Sequence, residues 1–306
     1  ALKKLVYKDK VFAFVGPGSA SLLNVLWKKI QENKLPTVSI TMPDLAVEPF
    51  KKYIFIITDT YRGQVEVLVD YLVNDSGIKN PRAAVVYPDT EVGKIDLLPT
   101  IERLKKYKLE PVTKEVLHPA SVDASSQVMS IKKNKANCIL HVGTITPTTI
   151  TLLRDLRKMG VKVPVFGSWG AMLGEALNKI GPATKMFYSV HATSPWYDKG
   201  SGMEEMRRIT LKYHPGSEIP YRGTIYTHGW ICNTILVEGL KRAGRDLDED
   251  ELIEALEDIE EYDTGGLCGP ITYSSDSHKG GSSWKIYKSN PDVGKFIPMT
   301  DWRVPK

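Results

Sequence analysis

The sequence predicts an α/β protein of two Rossmann-like lobes, each built on a doubly wound parallel sheet. Short continuous apolar runs of four or five residues alternate with longer amphipathic segments, which marks parallel strands covered on both faces by helices. The number of such βα units exceeds what one sheet of ordinary size holds. A length of 306 residues is likewise more than a single core organises.

The elements follow in order. Val11–Val15 reads as a buried strand, then a Gly/Pro/Ser turn and a helix over Ser19–Asn33. Pro36 precedes a second strand, Thr37–Ile40; a third, Tyr53–Ile57, leads into a helix over Tyr61–Val73. Ala83–Tyr87 with a helix over Val92–Tyr107, and Cys138–Val142 with a helix over Thr148–Met159, repeat the unit. Val163–Phe166 and Met186–Val190 complete the run. After about Thr193 helices dominate, over Gly202–Tyr213, Gly223–Gly244 and Asp248–Ile259. The acidic stretch Asp246–Asp250 suits the positive end of the last one's dipole. Pro270–Tyr273 and Ser283–Lys288 read as short strands around a polar turn, Ser274–Gly281. No fixed-period repeat and no low-complexity linker occurs, which fits lobes assembled from discontinuous segments.

The composition, 42% hydrophobic and 25% charged, is that of a globular protein. No apolar run approaches the roughly 18 residues of a membrane span. The start, Ala1-Leu-Lys-Lys-Leu, lacks a secretory signal's apolar core, so the expectation is a cytoplasmic chain or a processed or trimmed extracytoplasmic one. The net charge of +5 is spread along the chain; Arg103, Lys105, Lys106 and Lys108 read as a solvated helix face. No groove-reading motif accompanies the charge, so nucleic acid is not an expected partner. Cys138, Cys232 and Cys268 show no metal spacing and read as small buried residues.

The turn Gly16-Pro-Gly-Ser-Ala-Ser21 follows a strand and opens a helix. It nearly matches a dinucleotide fingerprint, but Pro17 removes an amide donor and no acidic residue follows at the expected distance. A helix start attracts a phosphate or equally a carboxylate, and a plain tight turn is the third reading. Catalysis finds little support: the histidines show no metal pairing, there is no nucleophile elbow, and the carboxylates of Glu249–Glu261 read as a solvated helix face. His141, inside an apolar strand, reads as a satisfied core residue. No cofactor, no metal and no enzymatic activity are expected. Trp169, in Phe166-Gly-Ser-Trp-Gly170, directly follows a strand, where loops face the ligand crevice of an open α/β sheet; core packing is the rival reading. Tyr221 and Tyr226 follow Pro220 at a similar helix start, whereas Trp196 and Trp230 read as packing residues.

Taken together, several stretches carry a family likeness. Asp9–Ser19, Leu35–Thr41, Arg62-Gly-Gln64, Val85–Asp89 with Gly93, Val122–Val128 and Asp263–Tyr273 with Ser277-His278 resemble, in order and spacing, the leucine/isoleucine/valine-binding proteins, the type I periplasmic components of bacterial ABC importers. The resemblance implies two α/β lobes joined by three crossovers and a hinge, residues 1–59 with 193–268 and residues 60–192 with 269–306. It implies a ligand held between them, a membrane permease as partner and a periplasmic or extracytoplasmic location. A ligand-sensing domain of a receptor or regulator uses the same fold and is the nearer alternative; an NAD-binding Rossmann-type enzyme is the more distant one. Family members begin with a further βαβ stretch ahead of this chain's first residue, so an unpaired strand edge is expected in lobe one.

By the same resemblance the ligand contacts fall on Ser19, Ala20, Ser21, Thr41, Met42, Pro43, Val92, Ile145, Trp169 and Tyr221. Members that bind aliphatic amino acids hold the ammonium with a carboxylate in the loop equivalent to Gly167–Gly170, and by spacing Trp169 takes that place. Val92 and Ile145 stand where the family often has aromatics; Tyr221 keeps one. A buried ammonium without a counter-charge costs several kcal/mol, roughly. The expected ligand is therefore an aromatic or other apolar carboxylate, with an amino acid as the alternative. Ser19, Ser21, Thr41 and backbone N–H groups would take its oxygens, and Trp169, Met42, Val92 and Tyr221 its body.

Overall fold

The computed structural model describes residues 2–171, 176–216 and 222–306. After a single π-helical turn at Lys4–Lys8, the chain runs β1 (Phe14–Val15), α1 (Ala20–Glu32), β2 (Thr37–Ser39), β3 (Ile54–Ile56), α2 (Tyr61–Asn74), β4 (Ala83–Pro88), α3 (Glu91–Lys106), β5 (Thr113–Leu117), α4 (Ser125–Lys133), β6 (Cys138–His141) and α5 (Thr146–Lys158). It continues through β7 (Val165–Gly167), α6 (Ala176–Ile180), β8 (Phe187–His191), α7 (Ser201–Tyr213), α8 (Thr224–Ala243), α9 (Glu249–Glu257), β9 (Lys285–Asn290) and β10 (Lys295–Pro298). The predicted α/β class with parallel sheets is what the chain adopts. It forms two compact units, Ala1–Thr60 with Thr193–Ser283, and Tyr61–Ala192 with Trp284–Lys306.

The first unit centres on the parallel sheet β1-β2-β3. Every residue of β2 and β3 is buried, because both faces of a parallel sheet carry helices. The ladder takes less of the first apolar run than predicted. Val11 gives its N–H to Leu5 O instead, and β1 stands at the sheet edge with β2 as its one partner among the described residues. Helix α8 lies against β1 and β2; Cys232 Sγ reaches Ser39 O at 3.5 Å.

One boundary differs from expectation. Residues 269–283 belong to the first unit, not the second, and Pro270–Tyr273 does not pair with the Ser283–Lys288 run. His278–Gly280 instead extends β3: Ile56 N donates to His278 O and Gly280 N to Ile56 O. His278 stacks on Phe55 at 3.7 Å between ring centroids, and Tyr273 OH donates to Ile56 O at 3.1 Å. Both short runs alternate polar and apolar residues, a pattern that states a strand but not its partner.

The second unit is a seven-stranded sheet in the order β10-β9-β8-β7-β6-β4-β5. Strands β4 to β8 are parallel, and β9 and β10 run antiparallel at one edge. Strand β5 escapes an apolar-run search because it is an edge strand whose residues alternate between half-buried and exposed before Leu117. Helices α2 and α3 pack against each other around Arg103. The expectation of a solvated Arg103 is corrected here: its side chain is 3% exposed and gives two hydrogen bonds to Asp70, at 2.7 and 2.6 Å. Lys105, Lys106 and Lys108 do face solvent.

Candidate functional site

The candidate residues of the first unit sit on the loops that follow β1 and β2. Ser19 is the N-cap of α1 but makes no side-chain cap bond, and the first turn of any helix has N–H groups without intrahelical partners. Ser19 is half-buried, Ala20 buried and Ser21 exposed. The second loop is drawn to the first by Thr41, whose Oγ1 donates to Pro17 O at 3.4 Å. Ser39 Oγ pins that loop, accepting from Thr41 N at 3.2 Å and donating to Thr41 O at 2.8 Å. Met42 is fully buried and its sulfur accepts from Thr58 Oγ1; Pro43 is buried as well. These two back the loop rather than cap it. Tyr221 lies outside the described residues. Tyr226 is half-buried: its ring meets Trp196 edge-on at 5.9 Å and its hydroxyl is 2.7 Å from Thr210 Oγ1.

Histidine 228 supports the same loop from below. It is fully buried, its Nδ1 lies 3.3 Å from Ile40 O, and burial pushes its pKa down to about 4. A ring nitrogen against a carbonyl must be the protonated one, so His228 is a neutral donor at physiological pH.

In the second unit Val92, Ile145 and Trp169 follow β4, β6 and β7, three adjacent strands of the sheet. All three are half-buried. Thr90 caps α3 by accepting from Gly93 N at 3.1 Å, which fixes the turn carrying Val92. Ile145 is the N-cap residue of α5. Trp169 opens a single 3-10 turn and lies parallel to Tyr61, at 6.5 Å between centroids and 12° between planes. The loops touch through backbone. Gly143 has φ +59°, and a Cβ there would stand 2.3 Å from Gly93 Cα; only glycine meets both conditions.

A polar network lies beneath these loops. Gln64 Oε1 accepts from Trp169 N at 3.1 Å, Gln64 Nε2 donates to Asp96 Oδ2 at 3.2 Å, and that oxygen accepts from Gly143 N at 2.8 Å. Thr144 N donates to Ser168 Oγ, and Thr144 Oγ1 to Ser168 O, each at 3.1 Å. Tyr61, Gln64, Asp96, Thr144 and Ser168 are the residues sequence reading did not assign. The available signal was polar side chains next to strand ends, in segments otherwise apolar. His141, at the end of β6, is fully buried with Nδ1 3.2 Å from Val86 O and its pKa pushed down to about 4 by burial. Its Nε2 has no partner among the described residues, so it is a core residue only half satisfied.

Other groups play structural parts. Among the described residues no three His, Cys, Asp or Glu side chains converge as metal ligands. The three thiols are buried and unpaired, and burial pushes those of Cys138 and Cys268 up to about 12. The carboxylates of α9 are solvated apart from Glu257, which lies 2.9 Å from His278 Nε2; the half-exposed Asp250 accepts from Lys52 at 2.7 Å, Lys34 at 3.1 Å and Tyr53 OH at 2.9 Å. A groove of about 970 Å³ in the first unit runs along α7 and α8, past Tyr226, Trp230, Val237 and Tyr262. It flanks helices rather than strand ends, and among the described residues Tyr226 lines it but none of the predicted ligand contacts does.

A family model described as "Periplasmic binding protein" matches residues 1–294. Among solved structures, a branched-chain amino acid ABC transporter protein from Thermus thermophilus, with bound valine, superposes at TM-score 0.89 and 18% identity, covering 99% of this chain and 81% of that one. A leucine-binding protein from Thermotoga maritima gives 0.82 at 15% identity, over 99% and 82%. A fatty acid ABC transporter substrate-binding protein from Thermomonospora curvata gives 0.79 at 20% identity, over 98% and 77%. No curated protein sequence matches the chain.

Proposed function

Because the chain belongs to the periplasmic binding protein family, we propose that it is the solute-binding component of an ABC importer, working outside the cytoplasm and delivering a small apolar or aromatic carboxylate to a membrane permease. The observation that carries the ligand class is Trp169, stacked on Tyr61 in the loop where the family resemblance puts an ammonium-binding carboxylate. Val92 and Ile145, on the neighbouring loops, are equally apolar. None of these three side chains carries a charge, and an ammonium desolvated against them would cost several kcal/mol, roughly. A carboxylate finds suitable partners in the first unit, at Ser19, Ser21, Thr41 and the opening turn of α1, with Ala20, Met42 and Pro43 as apolar backing. The ligands named for the structural neighbours, valine and leucine on one side and a fatty acid on the other, span the choice, and Trp169 favours an acid without an ammonium. Tyr221 is assigned to the ligand's body by resemblance alone.

The test is the accurate mass of whatever small molecule native mass spectrometry finds retained by freshly purified protein, or by protein incubated with a cell extract. A nitrogen-free acid supports the reading. Retained leucine, isoleucine or valine overturns it.

A further inference from the structure

We propose that Gln64 and Asp96 are positioning residues for ligand binding, which lock the three loops bearing Val92, Ile145 and Trp169 into one surface. The inference rests on the binding role proposed above. Gln64 is 1% exposed and Asp96 fully buried. Packing alone does not call for an amide and a carboxylate at such positions, because an apolar residue is buried at lower cost. What they gain is a specific pair of donors. In β6 the sheet ladder ends with Val142 N on Val86 O, and in β7 with Ser168 N on His141 O. The next amides along, Gly143 N and Trp169 N, are those that Asp96 and Gln64 accept.

Each loop is therefore held at the point where it leaves the sheet. The Gln64 amide orientation is forced, since the Trp169 backbone N–H only donates and so takes the Gln64 oxygen, which leaves the Gln64 NH2 to Asp96. Asp96 stands one turn beyond Val92 on α3, so the same carboxylate joins the loop after β4 to the loop after β6. Gln64 carries the link on to the loop after β7, and the Thr144–Ser168 bonds close the ring. Freed of these bonds, Trp169 and Ile145 lose their fixed direction, and a ligand must bear the entropy of ordering them.

The experiment compares the whole chain with Asp96→Leu, which removes both acceptor oxygens, Gln64→Met and, as a control, Asp155→Asn. Asp155 is buried in the same unit and accepts from Ala124 N at 2.7 Å, away from these loops. Phenylacetate, octanoate and L-leucine are titrated by calorimetry, and amide hydrogen exchange is followed over residues 142–145 and 168–170. The expected result is an affinity loss of about tenfold or more in both variants, for whichever acid the parent binds best, with faster exchange confined to those two loops. Asp155→Asn lowers the melting temperature and leaves affinity unchanged. Affinities within about twofold of the parent, or a loss that the control matches, overturn the inference. Should the parent bind none of the three acids, the proposed ligand class fails, and exchange then decides: unchanged protection of Gly143 and Trp169 overturns the positioning role. If Asp96→Leu does not fold, Gln64→Met, which keeps the Gly143 bond, provides the same readings.

Discussion

Arg103 reaches Asp70 through two parallel hydrogen bonds, at 2.7 and 2.6 Å, inside the contact between α2 and α3. Burial alone would raise the Asp70 pKa, but Arg103, the Lys306 N–H and the Tyr107 hydroxyl more than offset that and hold it below the ordinary carboxylate value. The pair thus stabilises the second unit in its ionised form.

Removing one partner leaves the other charge buried and unpaired. Asp70→Ala is expected to lower unfolding stability at neutral pH by about 3–5 kcal/mol, measured by urea denaturation. The sign with pH follows from the depressed pKa. The contribution is fully present above the unfolded value near 3.9 and fades as pH falls through the lower folded value. The gap between parent and variant should therefore narrow in acid; a gap that widened would refute the assignment.

Substitution at Gly143 tests the close approach of two loops. Gly143→Ala must place a methyl group 2.3 Å from Gly93 Cα at a positive φ. A loss of about 2 kcal/mol or more is expected, read as a lower melting temperature. Gly160, also at positive φ but with open space around it, serves as comparison: Gly160→Ala should cost less.

Trp169→Ala should leave the fold intact, because the side chain is only half-buried, and weaken carboxylate binding by about tenfold. Trp169→Glu restores a carboxylate in that loop and should shift preference toward L-leucine. Parallel titrations of both variants check this, and a Trp169→Ala variant binding as tightly as the parent would remove Trp169 from the site.

Thiol reactivity provides an independent check on the cores. Cys138, Cys232 and Cys268 are buried and their thiols raised, and only a thiolate reacts readily. A thiol reagent at neutral pH should label none in the native protein and all three in denaturant.

Much of the fold was legible because parallel strands carry a signal that needs no partner: β3, β4 and β6 up to His141 are continuous apolar runs, and each appears within a residue or so of its predicted place. What escaped lacks such a signal. Strand β5 is a half-exposed edge, β10 is a short antiparallel edge, and the 270–281 segment could not declare which sheet it joins. Arg103 read as solvated because its place in a basic cluster says nothing of Asp70, thirty-three positions earlier. At the site, Val92, Ile145 and Trp169 could be named from loops at strand ends. Gln64 and Asp96 could not, since a network assembled across four segments is visible only once the sheet order brings those segments together.

The most direct test is a paired calorimetric titration of the intact protein with phenylacetate and with L-leucine under identical conditions. Saturable binding of phenylacetate with little or no heat from leucine is the result expected of a site walled by Trp169, Val92 and Ile145. Tight binding of leucine with none of the aromatic acid would contradict it and return the protein to the amino-acid binders of its family.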